Sequence, residues 1–290
     1  MDLRKALFAG IAVALAAAVP AVPAGALPAY QNYVALGDSF TAGPRIPEQR
    51  TDPAGCGRSS ANYSALLGDL LVTRSTVDAS CSGADTTHLT RSQELAEGSN
   101  PPQLDALRPE TDLVTVGLGG NDYNLFKRIV DTCPVLRPQN PTGAPCRAYF
   151  TVNGTDTLRG IITQTEGNLT EGLLRVHDRA PRAKVLAVGY PRLVPPSGFC
   201  GSTLPFADGD YAWIAELEQA LGDAIANAAA ASGSSYVDVY GASLGHDACA
   251  QPGSAWVNGD LDRDDAARYQ PVLAGMQGVS GVIFDHLRRG

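Results

Sequence analysis

Short apolar runs rich in valine alternate along the chain with longer segments whose apolar residues recur at helical spacing. This alternation is typical of β–α–β units, which build a parallel sheet covered by helices. Five runs are predicted strands: Tyr33 to Leu36, Thr76 to Ala79, Leu113 to Leu118, Lys184 to Gly189 and Ser235 to Val239. Four segments are predicted helices: Asn62 to Leu71, Thr157 to Arg179, Tyr211 to Ala231 and Val272 to Leu287. The pattern predicts an α/β fold.

Two segments interrupt the alternation, Gly43 to Ser60 and Thr132 to Val152, and both are rich in proline, glycine and cysteine. They are predicted to be long loops held by disulfides, and loops of this length in a compact domain are often functional. No linker, charge block or repeat divides residues 27–290. One domain is therefore predicted for this part of the chain.

The first 26 residues have the pattern of an export signal. Arg4 and Lys5 precede an apolar run from Ala6 to Val19, and the small residues Ala24 to Ala26 form a cleavage site. The run is shorter than the roughly 20 residues that span a bilayer, so no stable membrane anchor is expected. We predict a signal peptide over residues 1–26 and a secreted chain that begins near Leu27.

All the cysteines follow this cleavage site, and no CxxC motif or Cys/His cluster is present. In an exported chain this favours three disulfides, although the sequence alone leaves their connectivity open. Sequential pairing, in which each bridge closes a local loop, is the simplest arrangement. The six cysteines are Cys56, Cys81, Cys133, Cys146, Cys200 and Cys249.

Composition narrows the function classes. Of the 290 residues, 44% are hydrophobic and 18% charged, which suffices for a full core. The formal net charge is −8 and no basic cluster is present, so nucleic acid is not expected as a partner. A nucleotide-binding flavodoxin-like protein is also disfavoured, because no glycine-rich phosphate loop opens a helix.

Candidate chemistry follows three of the predicted strands. Gly37-Asp38-Ser39, Cys81-Ser82-Gly83 and Gly119-Gly120-Asn121-Asp122 each begin where a strand ends. The ligand crevice of an open parallel sheet lies at these carboxyl ends. The three turns offer a hydroxyl nucleophile, a glycine N–H and an asparagine amide, which acyl transfer requires. Each of these motifs alone is more typical of an ordinary turn.

Together and in this order, the three turns resemble the SGNH (GDSL) hydrolase family, and the likeness to secreted actinomycete lipases and esterases covers essentially the whole chain after residue 26. Further matching segments are TAGPRIPEQ (residues 41–49), CSGADTT (81–87), GLGGND (117–122), GHDAC (245–249) and WVNG (256–259). The resemblance implies a flavodoxin-like three-layer α/β/α sandwich with a five-stranded parallel sheet, and neither metal nor cofactor. It also implies the pairing Cys56 with Cys81, Cys133 with Cys146, and Cys200 with Cys249.

Carried over by position, the resemblance makes Ser39 the nucleophile. The backbone N–H groups of Ser39 and Gly83 and the side chain of Asn121 match the oxyanion hole. Asp38 and Asp122 are expected to be structural acceptors that hold their turns.

The family's base is a histidine followed by proline, in a context similar to His-Pro-x-x-x-Gly-Met. The corresponding segment here is YQPVLAGMQ, from Tyr269 to Gln277, and Gln270 occupies the histidine position. An amide has no basic nitrogen at neutral pH, so Gln270 cannot take the proton of Ser39. Loss of a triad member typically lowers kcat by about 10⁴ to 10⁶, and weak or no esterase activity is expected.

The other histidines are poor substitutes. His177 and His286 fall late in predicted helices, where surface positions are expected, while His88 follows the Gly83 turn and His246 adjoins a predicted disulfide. In the family an acid or a backbone carbonyl upstream orients the base. Asp264, Asp265 and Ala267 occupy that region here and, without an imidazole, receive no catalytic role.

Two functions are consistent with this sequence. The first is a secreted SGNH-type ester hydrolase, impaired by Gln270, that acts as a monomer on a small-molecule or lipid ester. The second is a catalytically silent family member that binds a lipid, an acyl ester or a glycan. The sequence does not choose between short acyl esters, triacylglycerols, phospholipids and acetylated sugars.

Overall fold

A computed structural model describes residues 30–289, so the predicted signal peptide lies outside the described residues. The predicted strands form one sheet in the order β2-β1-β3-β4-β5, and every neighbouring pair is parallel. This arrangement confirms the predicted α/β fold with a five-stranded parallel sheet. The strands are β1 (Asn32–Gly37), β2 (Ser75–Asp78), β3 (Leu113–Gly117), β4 (Lys184–Val188) and β5 (Ser235–Val237).

Helices cover both faces of the sheet. The long helices α5 and α6 pack on one face, and α2 and α8 pack together on the other. The helices are α1 (Ser39–Ala42), α2 (Tyr63–Leu71), α3 (Leu125–Leu136), α4 (Pro145–Phe150), α5 (Thr157–Arg179), α6 (Asp210–Ser232), α7 (Val239–Ala242) and α8 (Leu273–Arg289).

The central strands are mostly apolar because both of their faces are buried. Along β1, Val34 and Leu36 join the core beneath α5 and α6, whereas Tyr33 and Ala35 join the core beneath α2 and α8. Side chains alternate between the faces of a strand, so a strand covered on both sides needs a continuous apolar run. This requirement explains the valine-rich runs in the sequence.

The predicted loop from Thr132 to Val152 was wrong in part. Its beginning is the end of α3, and it contains all of α4. The sequence prediction missed α3 entirely, although Leu125, Ile129 and Cys133 are buried along one face at helical spacing. Proline and cysteine in this stretch obscured the pattern, and Pro134 itself lies inside the helix.

The six cysteines form three disulfides, Cys56–Cys81, Cys133–Cys146 and Cys200–Cys249, which is the pairing that the resemblance implies. The first joins the loop after α1 to the turn after β2. The Ser82 N–H also donates to the Cys56 carbonyl at 2.9 Å. The turn that carries Gly83 is therefore fixed to the neighbouring loop by a covalent bond and a hydrogen bond.

Candidate active site

The first of the three turns leads from β1 directly into α1. Asp38 caps this helix by accepting the Phe40 N–H at 2.8 Å, and Ser39 is its first residue. Gly37 has no room for a side chain, because a Cβ there would lie 2.0 Å from Thr41 Oγ1. The close approach of β1 and α1 at Gly37 fixes the position of Ser39. The Ser39 residue is 8% exposed.

Backbone hydrogen bonds join the other two turns to the first. The Cys81 N–H donates to the Gly37 carbonyl at 3.0 Å, and the Asp38 N–H donates to the Gly117 carbonyl at 3.0 Å. Asn121 reaches the second turn, since its Nδ2 donates to the Ala84 carbonyl at 3.0 Å. The structure thus brings the turns of Ser39, Gly83 and Asn121 together at the carboxyl edge of the sheet.

Gly83 lies in a backbone region that favours glycine. Its φ is +78°, which is unfavourable for residues with a Cβ. The residue is exposed to solvent. The nearby Gln93 holds this turn by donating from Nε2 to the Ser82 carbonyl at 2.8 Å.

Asp122 acts as an acceptor within the protein. Its carboxylate accepts the N–H and the hydroxyl of Thr86 at 2.9 and 2.7 Å, and an amide hydrogen of Asn168 at 3.0 Å. Burial raises the pKa of the carboxyl above its ordinary value. These bonds fix the residue that follows Asn121 and connect the third turn to α5.

Two residues that the sequence analysis missed also hold the turns. The Gln103 carboxamide accepts the Gly37 N–H at 2.7 Å and donates to the Gly37 carbonyl at 2.8 Å. The Tyr190 hydroxyl donates to Asp38 Oδ2 at 2.6 Å and accepts the Gly120 N–H at 3.0 Å. Tyr190 could have been suspected from its position just beyond β4, whereas no local signal marks Gln103.

Asp38 is a buried carboxyl beside the candidate nucleophile. Burial opposes its charge and raises its pKa to about 7, although the bonds from Tyr190 and the Phe40 N–H favour the ionised form. Both of its oxygens are engaged in these bonds. The arrangement is that of a structural acceptor that joins the first turn to Tyr190.

Replacing Tyr190 by phenylalanine is expected to lower the free energy of unfolding by about 1–3 kcal/mol, because the buried Asp38 carboxyl and Gly120 N–H each lose a partner. Urea denaturation at pH 8 measures the change. Tyr149→Phe is the control, since Tyr149 is 62% exposed and makes no side-chain hydrogen bond within residues 30–289. Equal, small effects of both substitutions would contradict a bridging role for Tyr190.

The segment around Gln270 packs against the helix that begins with Ser39. Pro271 and Met276 line a small cavity together with Phe40 and Thr41 of α1. Pro271 also pairs with Val257 in an antiparallel bridge. The residue that follows Gln270 therefore lies against the helix of Ser39.

Asn258 holds this segment in place. Its N–H donates to the Gln270 carbonyl at 2.8 Å, and its Nδ2 donates to the Ala267 carbonyl at 2.9 Å. Tyr269 has a φ of +57°, an uncommon conformation that turns the chain just before Gln270. Gln270 Oε1 is buried and has no hydrogen-bond partner among the described residues. Hydrogen bonds therefore fix the backbone at Gln270, whereas its side-chain oxygen has no donor within residues 30–289.

The histidines make contacts elsewhere. His88 Nδ1 accepts the Asp85 N–H at 3.0 Å, and His246 Nδ1 donates to the Ser254 carbonyl at 2.6 Å and stacks on Trp256. His177 Nε2 lies 3.1 Å from Ser234 Oγ, and burial lowers the pKa of His286 in α8. Within residues 30–289, none of these side chains is hydrogen-bonded to Ser39.

The described residues contain no group of three or more histidine, cysteine, aspartate or glutamate side chains that could hold a metal ion. Residues 35–277, which include all three turns and Gln270, match the model of the GDSL-like lipase/acylhydrolase family. The chain belongs to this family. As a GDSL-family member it is, by family, a carboxylic ester hydrolase.

Known GDSL relatives have similar sequences and folds. Lipase 2 of Streptomyces coelicolor is 40% identical over 82% of this chain and 79% of the relative, and an esterase of Streptomyces scabiei is 36% identical over 85% and 81%. The crystal structure of phospholipase A1 from Streptomyces albidoflavus NA297 has a TM-score of 0.74 and 27% identity, covering 89% of this chain and 99% of that one. An extracellular lipase of Streptomyces rimosus has a TM-score of 0.72 and 27% identity, covering 88% and 99%.

Across residues 30–289, the helices of this GDSL-family chain are all too short or too polar to cross a bilayer.

Proposed function

We propose that this chain is a secreted GDSL-type ester hydrolase in which Ser39 is the nucleophile and Gln270 limits turnover. The observation that carries the proposal is the contact of Asn121 Nδ2 with the Ala84 carbonyl, which brings a side-chain amide to the Gly83 turn beside Ser39. The hydrogen bonds between the three turns support a shared site for the proposed donors. Such donors stabilise the negative charge that develops on a carbonyl oxygen during acyl transfer.

In the proposed reaction, Ser39 Oγ attacks the acyl carbon of the ester and its proton passes to the departing alcohol. The N–H groups of Ser39 and Gly83 and the Asn121 amide donate to the oxyanion. A carboxamide carries two hydrogens, so Asn121 can bond the Ala84 carbonyl with one and the oxyanion with the other. Water then cleaves the acyl–Ser39 ester, releasing the acid and restoring the hydroxyl.

Proton transfer is the weak step. Gln270 can hydrogen-bond to a hydroxyl but cannot deprotonate it, because its amide nitrogen is not basic. Donors and binding alone leave about 10³- to 10⁴-fold acceleration over water after loss of a triad member. We expect slow hydrolysis that depends on Ser39.

Secretion is proposed for three reasons. The predicted signal peptide precedes the folded domain, and the three disulfides of the structure suit an oxidising compartment. One similar structure is that of an extracellular lipase. The proposed substrate is a small-molecule or lipid ester, met by a monomer outside the cell.

Gln270 also favours a second function, in which the cleft binds a lipid, an acyl ester or a glycan without turnover. The supporting observation is the buried Oε1 of Gln270, which has no hydrogen-bond partner among the described residues although the Gln270 carbonyl accepts the Asn258 N–H. The site would retain its donors for a carbonyl group while lacking a base. Under this alternative, ester binding is measurable and hydrolysis is not.

The test compares p-nitrophenyl butyrate hydrolysis by purified residues 27–290 and by their Ser39→Ala variant. We expect a slow rate above the buffer reaction that Ser39→Ala abolishes. Ser82→Ala is the matched control, since Ser82 lies in the second turn and has no proposed catalytic role. If Ser39→Ala hydrolyses the ester as fast as the unmodified chain, Ser39 is not the nucleophile. Butyrate ester binding with no Ser39-dependent hydrolysis would support the second function.

A further inference from the structure

An apolar cavity of about 70 Å³ lies beside the turns that carry Ser39 and Asn121. Asp38, Phe40, Gly120 and Asn121 contribute to its wall from those turns. The cavity therefore adjoins the atoms to which an ester carbonyl would bind.

The rest of the wall comes from α3, α6, the chain after β4 and Tyr240 of α7. Leu125, Phe126 and Ile129 belong to α3, and Ile214, Leu217 and Leu221 belong to α6. Their side chains make the lining predominantly apolar. An apolar cavity of this kind favours a hydrocarbon occupant over a polar one.

Of the two carboxyl groups in the lining, Asp38 is fully engaged within the protein and Glu218 is engaged through one oxygen. Asp38 accepts the Phe40 N–H and the Tyr190 hydroxyl, and Glu218 Oε1 accepts the Leu193 N–H at 2.9 Å. Glu218 Oε2 is buried and has no hydrogen-bond partner among the described residues. A polar ligand atom would find few free partners here, whereas Asn121 keeps an amide hydrogen for the carbonyl group.

The size of the cavity limits its occupant. A single water needs about 10–15 Å³ of such space, so the volume suits roughly five to seven non-hydrogen atoms. A linear acyl chain of about four to six carbons meets this limit. The chain of a long fatty acid would have to leave the cavity or displace its walls.

We propose that this cavity binds the acyl chain of the substrate and restricts the enzyme to esters of short linear acids, about four to six carbons long. The inference rests on the proposed function, because Asn121 both lines the cavity and donates to the carbonyl. An acyl chain attached to a carbonyl held by Asn121 enters the cavity directly. The alcohol part of the ester remains outside it.

The test uses the Gln270→His variant and p-nitrophenyl esters of acetate, butyrate, hexanoate and dodecanoate. We expect the highest kcat/KM with butyrate or hexanoate and at least about a tenfold lower value with dodecanoate. Ile129→Phe, added to this variant, fills the cavity and is expected to lower kcat/KM for hexanoate by about tenfold while leaving acetate within about twofold. Val135→Phe is the control on the same helix, because Val135 is 70% exposed and does not line the cavity.

Two further measurements test the cavity independently of the first variant: a substitution that enlarges it and a binding experiment without turnover. Leu221→Ala enlarges the cavity and is expected to shift the preference towards longer chains, opposite in direction to Ile129→Phe. Calorimetry of hexanoate binding to the unmodified chain requires no turnover, and Ile129→Phe is expected to weaken this binding by about tenfold.

The results separate the two proposals. If Gln270→His hydrolyses no ester but hexanoate binds in an Ile129-dependent manner, the proposed reaction fails and the cavity assignment stands. If Gln270→His hydrolyses all four esters with similar kcat/KM, and neither cavity variant changes the profile, the cavity assignment is overturned and the reaction stands.

Discussion

Replacing Gln270 by histidine is expected to raise kcat for p-nitrophenyl butyrate by at least about a thousandfold, because the substitution supplies the base that Ser39 lacks. The backbone is already suited to the new side chain. Asn258 holds the Gln270 carbonyl at 2.8 Å, and Pro271 shares a small cavity with Phe40 of the nucleophile helix. Steady-state kinetics from pH 5 to 9 measure the gain.

The pH profile of Gln270→His shows whether the new histidine acts as a general base or only changes the shape of the site. Catalysis by an imidazole requires its neutral form, so kcat/KM should rise with pH near the ordinary histidine pKa, at about 6 to 7. Gln270→Asn is the matched control, since it keeps an amide and is expected to give no increase. The double variant with Ser39→Ala should return to the buffer rate. Equal rates for the histidine and asparagine variants would refute the assignment of position 270.

Glu218→Gln is expected to make the protein more stable than the unmodified chain at alkaline pH, by an amount on the order of 4 kcal/mol. Burial raises the pKa of Glu218 from 4.5 to about 8, with a smaller effect of the Asp247 charge in the same direction. The Leu193 and Val194 N–H groups and Arg192 favour the charged form but do not outweigh burial. Glutamine resembles the neutral acid and cannot ionise.

The sign follows from proton binding. Between pH 4.5 and about 8 the folded chain holds a proton on Glu218 that the unfolded chain has lost, so stability falls as pH rises through this window. Glu218 contributes about 1.4 kcal/mol per pH unit to the slope of stability against pH, and Glu218→Gln removes this contribution. Asp38 contributes a slope of the same sign in both proteins, so it cancels in the comparison.

Urea denaturation at pH 5, 7 and 9 tests this prediction. The difference in the free energy of unfolding between Glu218→Gln and the unmodified chain should grow steadily across the series. Glu216→Gln is the control on the same helix, because the Glu216 carboxylate is exposed and pairs with Arg159 at the surface. A difference that does not change with pH would show that Glu218 ionises normally in the folded state.

Burial on both faces made the central strands of the sheet predictable, whereas the edge strand β2 is mostly exposed. Each strand of the sheet overlaps its predicted run, and the differences fall at the ends. The fifth strand stops at Val237 rather than Val239, because Asp238 caps α7 by accepting the Gly241 N–H at 2.7 Å. Helix α3 escaped prediction because its apolar face is short and the helix contains Pro134. Local composition there favoured a loop, and packing against the rest of the core overrode it.

The candidate site was predictable to the extent that its residues lie at strand ends. Ser39, Gly83 and Asn121 follow three strands, so the parallel sheet itself brings their turns to one edge. Tyr190 and Gln103 were missed because their roles come from contacts with residues 152 and 66 positions away. The sequence around Gln103 carries no signal of this contact, and the signal for Tyr190 is its position just beyond β4.

The amide at position 270 has a practical consequence. Trapping an intact ester in a serine hydrolase usually requires removal of the nucleophile, which also alters the group that meets the substrate. This chain keeps the proposed nucleophile, the proposed donors and the apolar cavity, while the amide at position 270 is expected to make hydrolysis slow. Crystals of the unmodified protein soaked with a butyrate ester should therefore capture the complex that precedes bond formation, with every reacting atom in place.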